Sequence, residues 1–266
     1  MQHPDGLMLT LMLLFGGVIL LSLGRARRKL PYVRPIPGIV SIEEAVGRAT
    51  ELGRPVVFAM GEGDIRDIVT HASLSILEYI ARLAARLRAG FIAMVRKPDV
   101  YPFAENIVRD AYRVEGAAED FRPEEQVRFL SDDGIVYAMS VARLIQEAPA
   151  GCALFFGGFF FTSLLMTEPG AQSGVLQIAG DPTLGQIPFF VCTCDYTIIG
   201  EEFFAAGAYV SSDPTVRGAL VGQDFIKVVL ALLVLVGTGA LLLAGGAGEG
   251  PACEAARGLM KYVTQK

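Results

Sequence analysis

Two apolar runs bracket this chain and limit what it can fold into. The first, LMLTLMLLFGGVILLSL, fills residues 7–23 without one charge. The second, FIKVVLALLVLVGTGALLLAG, fills residues 225–245, and its one charge, Lys227, lies near its start. A helix needs about 17–25 apolar residues to cross the hydrocarbon core of a bilayer. Both runs reach that length, and Lys227 lies close enough to an end to snorkel. The expectation is therefore two transmembrane helices with one large segment between them. The mean hydropathy of +0.46 agrees with a chain of this kind.

The flanks set the orientation. The leader MQHPDG carries no positive charge and no small-residue cleavage site follows the first run, so it does not read as a signal peptide. Arg25, Arg27, Arg28 and Lys29 follow directly, and basic residues stay on the cytoplasmic side. The reading is a two-pass protein of the prokaryotic inner membrane with both termini outward. Its parts are an outward N-terminus (1–6), a first span (7–23), a basic, proline-rich linker (24–40), a cytoplasmic domain (41–224), a second span (225–245) and an outward tail (246–266). The middle is acidic, with its basic cluster only juxtamembrane, which argues against a nucleic-acid partner.

Between the runs, short apolar stretches alternate with helical periodicity. Residues 30–40, LPYVRPIPGIV, read as a stiff extended linker. Ser41 with Glu44 forms a capping box that opens a helix to about Leu52. Strands are expected at 55–60, 91–95, 127–130, 152–156, 175–179 and 189–194. Helices fill the gaps. One, capped by Asp64, runs to Arg88 with Ile65, Ile68, Ala72, Ile76, Ile80, Leu83 and Leu87 as its apolar stripe. Another spans 99–115, and a third, capped by Asp132 or Asp133, runs to Glu147. Strands apolar throughout, each followed by a helix, imply a parallel sheet covered on both faces. Right-handed crossovers make this a doubly wound, Rossmann-like α/β layer. The run CALFFGGFFFTSLLM (152–166) is too short and too broken by Gly157-Gly158 for a third span, so it reads as a strand and a helix.

In such sheets ligands bind beyond the carboxyl ends of the strands, at the point where strand order reverses. With order 3-2-1-4-5 the first and fourth strands flank that crevice. The candidate lining is Gly61, Gly63, Arg96, Gly157, Gly158, Gly180, Asp181 and Asp195. The dinucleotide fingerprint fails, however. GEGDIR has Arg66 where the third glycine belongs, and Glu62 and Asp64 would repel a pyrophosphate. His71 sits four residues after Asp67, which reads as a helix-surface pair. Cys192 and Cys194, one residue apart in the expected sixth strand, would share a face. They lack the further ligands of a zinc site and read as buried packing, with Asp195 capping the next helix. No cofactor and no metal are expected, a nucleotide being the one candidate ligand.

Five blocks carry a family likeness: SIEEAVGRATELGRPV (41–56), LSILEYIARLAAR (74–86), VLQIAGD (175–181), PFFVCTCDYTIIGEEFFAAGAYVS (188–211) and GALVGQDFIK (218–227). Together they resemble a prokaryotic membrane family recorded only as a domain of unknown function, over most of residues 35–245. The resemblance implies an N-terminal span, a cytoplasmic Rossmann-like domain and a C-terminal span after the Gly-Gln-Asp block. It implies no activity, substrate or catalytic residue.

The favoured function is a non-catalytic, membrane-anchored scaffold that self-associates or gathers other membrane-complex subunits. The small pair Ala240 and Ala244, near Gly237 and Gly239, suits close helix packing. Phenylalanines 159–161 read as core first and interface second. The alternative is a membrane-tethered sensor of a nucleotide or small metabolite. A hydrolase using Asp132, Asp181 or Asp195 ranks last, because each has a ready role as a turn or helix cap.

Overall fold

A computed structural model describes residues 6–28, 36–147, 150–211 and 213–246. In chain order it opens with helices α1 (Gly6–Arg28) and α2 (Pro37–Glu51), strand β1 (Val56–Met60), α3 (Ile68–Leu87), β2 (Phe91–Val95) and α4 (Tyr101–Val114). After a short 3-10 turn come α5 (Pro123–Gln126), β3 (Val127–Phe129), α6 (Gly134–Glu147), β4 (Cys152–Phe156) and α7 (Ser163–Gln172). The chain then forms β5 (Leu176–Asp181), α8 (Ile187–Thr193), β6 (Tyr196–Ile199), α9 (Glu202–Val210) and α10 (Pro214–Gly246). These elements make two compact units, residues 32–213 and residues 1–31 with 214–266.

The larger unit is a six-stranded, all-parallel sheet of order β3-β2-β1-β4-β5-β6, so the expected Rossmann-like α/β class holds. Strand order reverses between β1 and β4, which pair from Val56↔Cys152 to Met60↔Phe156. Alternate strand residues feed opposite faces. Val56, Phe58, Leu154 and Phe156 join one apolar core with α2, α3, α4 and α9. Val57, Ala59, Ala153 and Phe155 join a second with Tyr137, Met166 and Phe190 of α6, α7 and α8. β1 and β4 are buried along their whole length, which is why their sequences are apolar at every position. The run 152–166 becomes β4, a loop and the start of α7, as its length requires.

Several local expectations are corrected. Residues 30–35 of the expected linker lie outside the described residues, and 37–40 are the first turn of α2. Pro37 starts that helix because its fixed φ and missing N–H suit the first helical position. Ser41 is therefore inside the helix, donating to the Pro37 carbonyl at 3.0 Å, and caps nothing. α3 begins at Ile68 because Asp64 to Asp67 form a turn, with the Asp67 carboxylate accepting the Asp64 N–H at 3.0 Å. Its buried arc runs through Ser73, Leu77, Ile80, Ala81 and Ala84, while Ile68 and Leu87 are exposed. Asp133 caps α6, accepting the N–H groups of Ile135 and Val136, each at 2.9 Å.

The largest correction falls at 187–199. Residues 189–194 belong to helix α8, and the sixth strand is Tyr196–Ile199. IPFFVCT is apolar enough for a strand, yet Pro188 opens a helix and only Phe190 turns inward. β6 is a four-residue edge strand that buries Ile198, too short for its pattern to show.

In the smaller unit α1 packs against α10. Gly218 and Gly222, four residues apart, make the contact. A Cβ at Gly218 would fall 2.7 Å from Ala26 Cβ, and Gly222 faces Ser22 and Ile19. Small residues at this spacing let two helix backbones approach closely. The side chains of Ala240 and Ala244 lie outside the described residues. The expected domain end at 224 falls within α10, and the tail beyond 246 is outside the described residues. Among the described residues one helical stretch, Pro214–Gly239, is long and apolar enough to cross a membrane, with a mean hydropathy of 2.2 over its most apolar 18 residues.

Candidate functional site

The strand-order reversal puts the ends of β1 and β4 side by side, and both ends are glycine for a steric reason. A Cβ on Gly61 would stand 2.6 Å from Gly157 Cα and 2.6 Å from Gly158 N. Gly157 also has a φ of +146°, which other residues rarely adopt. With no side chains between them, the two segments continue the ladder. Gly61 N–H donates to Phe156 at 3.0 Å and Glu62 N–H to Gly158 at 2.8 Å. The glycines expected to admit a ligand are thus used by one another.

Glu62 fills the space beyond them. Its side chain is 2% exposed. One carboxylate oxygen takes Arg96 Nη1 at 2.7 Å. The other accepts the Thr162 hydroxyl and the Phe160 N–H, the latter at 3.5 Å. The first turn of α6 meets it as well, since a Cβ on Gly134 would lie 3.0 Å from Oε2. The positive end of a helix dipole favours an anion there. Burying a charge costs several kcal/mol unless it is paired and hydrogen-bonded, and Glu62 is both. An internal anion therefore stands at the carboxyl end of β1, held by Arg96, Thr162 and Phe160. In the sequence Glu62 reads as a strand-end acid that would repel pyrophosphate, and its place between two glycines is the one signal of this role.

Arg96, a candidate lining residue of the crevice, pairs with Glu62 and donates from Nε to the Asp132 carbonyl at 3.0 Å. Lys97 pairs with the Asp132 carboxylate at 2.9 Å, which holds that carboxyl below its ordinary range. Asp181 is buried at the end of β5. Its two oxygens accept the Phe159 N–H at 3.0 Å and the Thr183 N–H at 2.6 Å. Burial pushes its carboxyl upward; the N–H groups of Thr183 and Phe159 pull it back, and the nearby Glu62 charge raises it again. Tyr137 sits under the crevice, its hydroxyl 2.7 Å from the Met60 carbonyl and 3.2 Å from that of Met94. Burial pushes that phenol far up, and its hydroxyl clamps the ends of β1 and β2 together.

The remaining expected residues divide. A Cβ on Gly63 would fall 2.7 Å from the Asp67 carboxylate and 2.8 Å from the Thr70 hydroxyl, and one on Gly158 would stand 3.7 Å from Val69. Gly180 leaves room for the rings of Phe156 and Phe203. Asp195 is separated from all of them. It precedes β6, at the amino edge of the sheet, where its carboxylate accepts the Gln177 N–H at 2.8 Å. It neither caps α9 nor approaches the crevice. Cys192 is exposed on α8 and Cys194 follows that helix, its thiol pushed by burial up to about 12. The shared strand face expected for the two thiols does not exist. Of the three phenylalanines, Phe159 is core, edge-on to Phe190 at 5.4 Å, while Phe160 and Phe161 are 60% and 66% exposed.

At the carboxyl edge, then, the buried acids Glu62 and Asp181 are held by the chain's own groups, with Phe160 and Phe161 exposed nearby. The chain belongs to the family described as Domain of unknown function (DUF6754), which matches residues 4–248. No curated protein and no solved structure matches the chain.

Proposed function

We propose that this family member is a membrane-anchored, non-catalytic assembly protein. In this reading α1 and α10 both span a prokaryotic cell membrane, both termini face outward, and the Rossmann-like unit gathers protein partners on the cytoplasmic side. Arg25, Arg27 and Arg28 at the end of α1 favour that orientation. The close packing at Gly218 and Gly222 suits a two-span anchor.

One observation carries the non-catalytic part. At the strand-order reversal the groups that would meet a ligand meet each other: Gly61 against Gly157, and Glu62 against Arg96 and Thr162. Around this closed edge the chain displays bare phenylalanines and aliphatics, the residue types that protein contacts use.

Native mass spectrometry of the gently extracted full chain tests the reading. The expected result is a complex of more than one polypeptide. A strictly monomeric protein with no co-purifying partner would contradict it.

A further inference from the structure

We infer that the apolar rim of the carboxyl edge is a self-complementary interface for a second copy of this chain, centred on Phe160 and Phe161. This rests on the assembly reading above and names its partner.

Three segments form the rim, and the two buried acids tie them together. The two oxygens of Glu62 reach Gly134 at the start of α6 and the 160–162 stretch before α7. The two oxygens of Asp181 hold Phe159 N–H and Thr183 N–H. Ser163 Oγ further bonds Gln186 Oε1 at 2.6 Å, joining the starts of α7 and α8. Ile135, Val136 and Met139 of α6, Phe160 and Phe161 of the loop, and Leu184 are therefore on adjoining segments. All six are 48–76% exposed.

The size of the patch points to an interface. A whole aromatic side chain offers about 150–250 Å² and an aliphatic one somewhat less, so two phenylalanines and four aliphatic residues exposed to this degree present roughly 500–800 Å². The upper end of that range matches one partner's share, about 800 Å², of a standard stable interface. It reaches past the roughly 300–600 Å² of the largest patch on an ordinary monomer.

Its chemistry points to a second copy. A two-fold interface brings the same patch against itself, so charges of one sign within it would repel. These six side chains carry none. At its margin Lys97 neutralises Asp132, and the Asp133 carboxylate is taken up by the N–H groups of Ile135 and Val136, each at 2.9 Å. The loop is also preorganised. Phe160 N–H and Thr162 are fixed on Glu62, and Phe159 is anchored in the core, so little freedom is lost when two copies dock.

The experiment measures the mass of the full chain in detergent across a concentration series, by native mass spectrometry and sedimentation. The wild type is expected to be a dimer. The pair Phe160→Ser with Phe161→Ser should weaken dimerisation at least about 100-fold and leave the melting temperature of the monomer unchanged. Phe103→Ser, at an exposed phenylalanine of α4 in the opposite helical layer, should leave the dimer intact. A dimer that survives the 160/161 pair overturns this interface while leaving the assembly reading standing. So does a single copy bound to a different protein through these phenylalanines. A wild-type monomer without any partner overturns both.

Discussion

Placing one methyl group at Gly61 tests how the sheet closes. In Gly61→Ala the new Cβ would stand 2.6 Å from Gly157 Cα, 2.6 Å from Gly158 N and 2.8 Å from Gly157 C. Carbon contacts settle at about 3.5–4.0 Å, so the ends of β1 and β4 must part by roughly 1 Å. The neighbours are backbone atoms, and no rotamer relieves the clash. Overpacking of this sort costs about 1–3 kcal/mol. Parting the ends also loosens Gly61 N–H to Phe156 and Glu62 N–H to Gly158, at about 1 kcal/mol each. The reduced backbone freedom of the unfolded alanine chain returns about 0.4–1 kcal/mol. The net loss is about 2–4 kcal/mol. For a unit of this size each kcal/mol moves the midpoint by about 2–4 °C, so the melting temperature should fall by roughly 4–16 °C. Thermal melting of the full chain in detergent, followed by circular dichroism, reads this directly. A variant melting within about 2 °C of wild type would refute the claim that these two glycines exist for each other.

Further outcomes follow from the same geometry. Glu62→Gln should destabilise by about 3 kcal/mol because it strands the Arg96 charge, and adding Arg96→Met should recover part of that loss in a double-mutant cycle of melting data. Arg86 and Arg82 hold the Glu115 carboxyl below its ordinary 4.5. Its folded pKa is depressed, so its stabilisation is present above about pH 4.5 and is lost as pH falls through the depressed value. Glu115→Gln should flatten that acid limb while costing less than about 1 kcal/mol at neutral pH, since Arg86 is largely exposed. Burial holds the thiols of Cys152 and Cys194 up at about 12, whereas Cys192 is exposed. A maleimide at pH 8 should therefore modify Cys192 and spare Cys152 and Cys194, as mass spectrometry would show. With an impermeant reagent on intact cells, Cys192 should react only after permeabilisation and Cys253, the fourth cysteine, in the tail proposed to face outward, before it; the reverse would invert the proposed topology.

The sheet was readable in the sequence where burial leaves a strand no choice. VVFAM, FIAMV and CALFF are apolar at nearly every position because helices cover both faces, and these strands appear where their composition puts them. The strand-order reversal between β1 and β4 agrees with the 3-2-1-4-5 order supposed for a Rossmann-like sheet, an order that alternation by itself does not fix. Reading failed where an apolar stretch was short enough to serve either period. IPFFVCT became a helix and YTII the edge strand, which moved Asp195 to the opposite side of the sheet. The glycines at the reversal were identified, but their purpose was not. A glycine that admits a ligand and one that admits a neighbouring backbone are identical in a sequence. Only the Gly157 backbone, 2.6 Å from where a Cβ on Gly61 would stand, separates the two. Glu62 was equally visible and equally ambiguous, because a buried acid with Arg96 and Thr162 as partners reads in one dimension like an exposed loop charge.

The central claim is that this Rossmann-like unit has closed its own ligand crevice. A thermal-shift panel of nucleotides, dinucleotides and phosphorylated metabolites, on the full chain at millimolar concentrations, tests it most directly. A bound ligand raises the midpoint by mass action, by about 2.7 kcal/mol at one hundred times its dissociation constant. The account predicts no shift beyond about 1 °C for any compound. A shift of several degrees that disappears in Arg96→Met, a variant that itself still melts cooperatively, would contradict it.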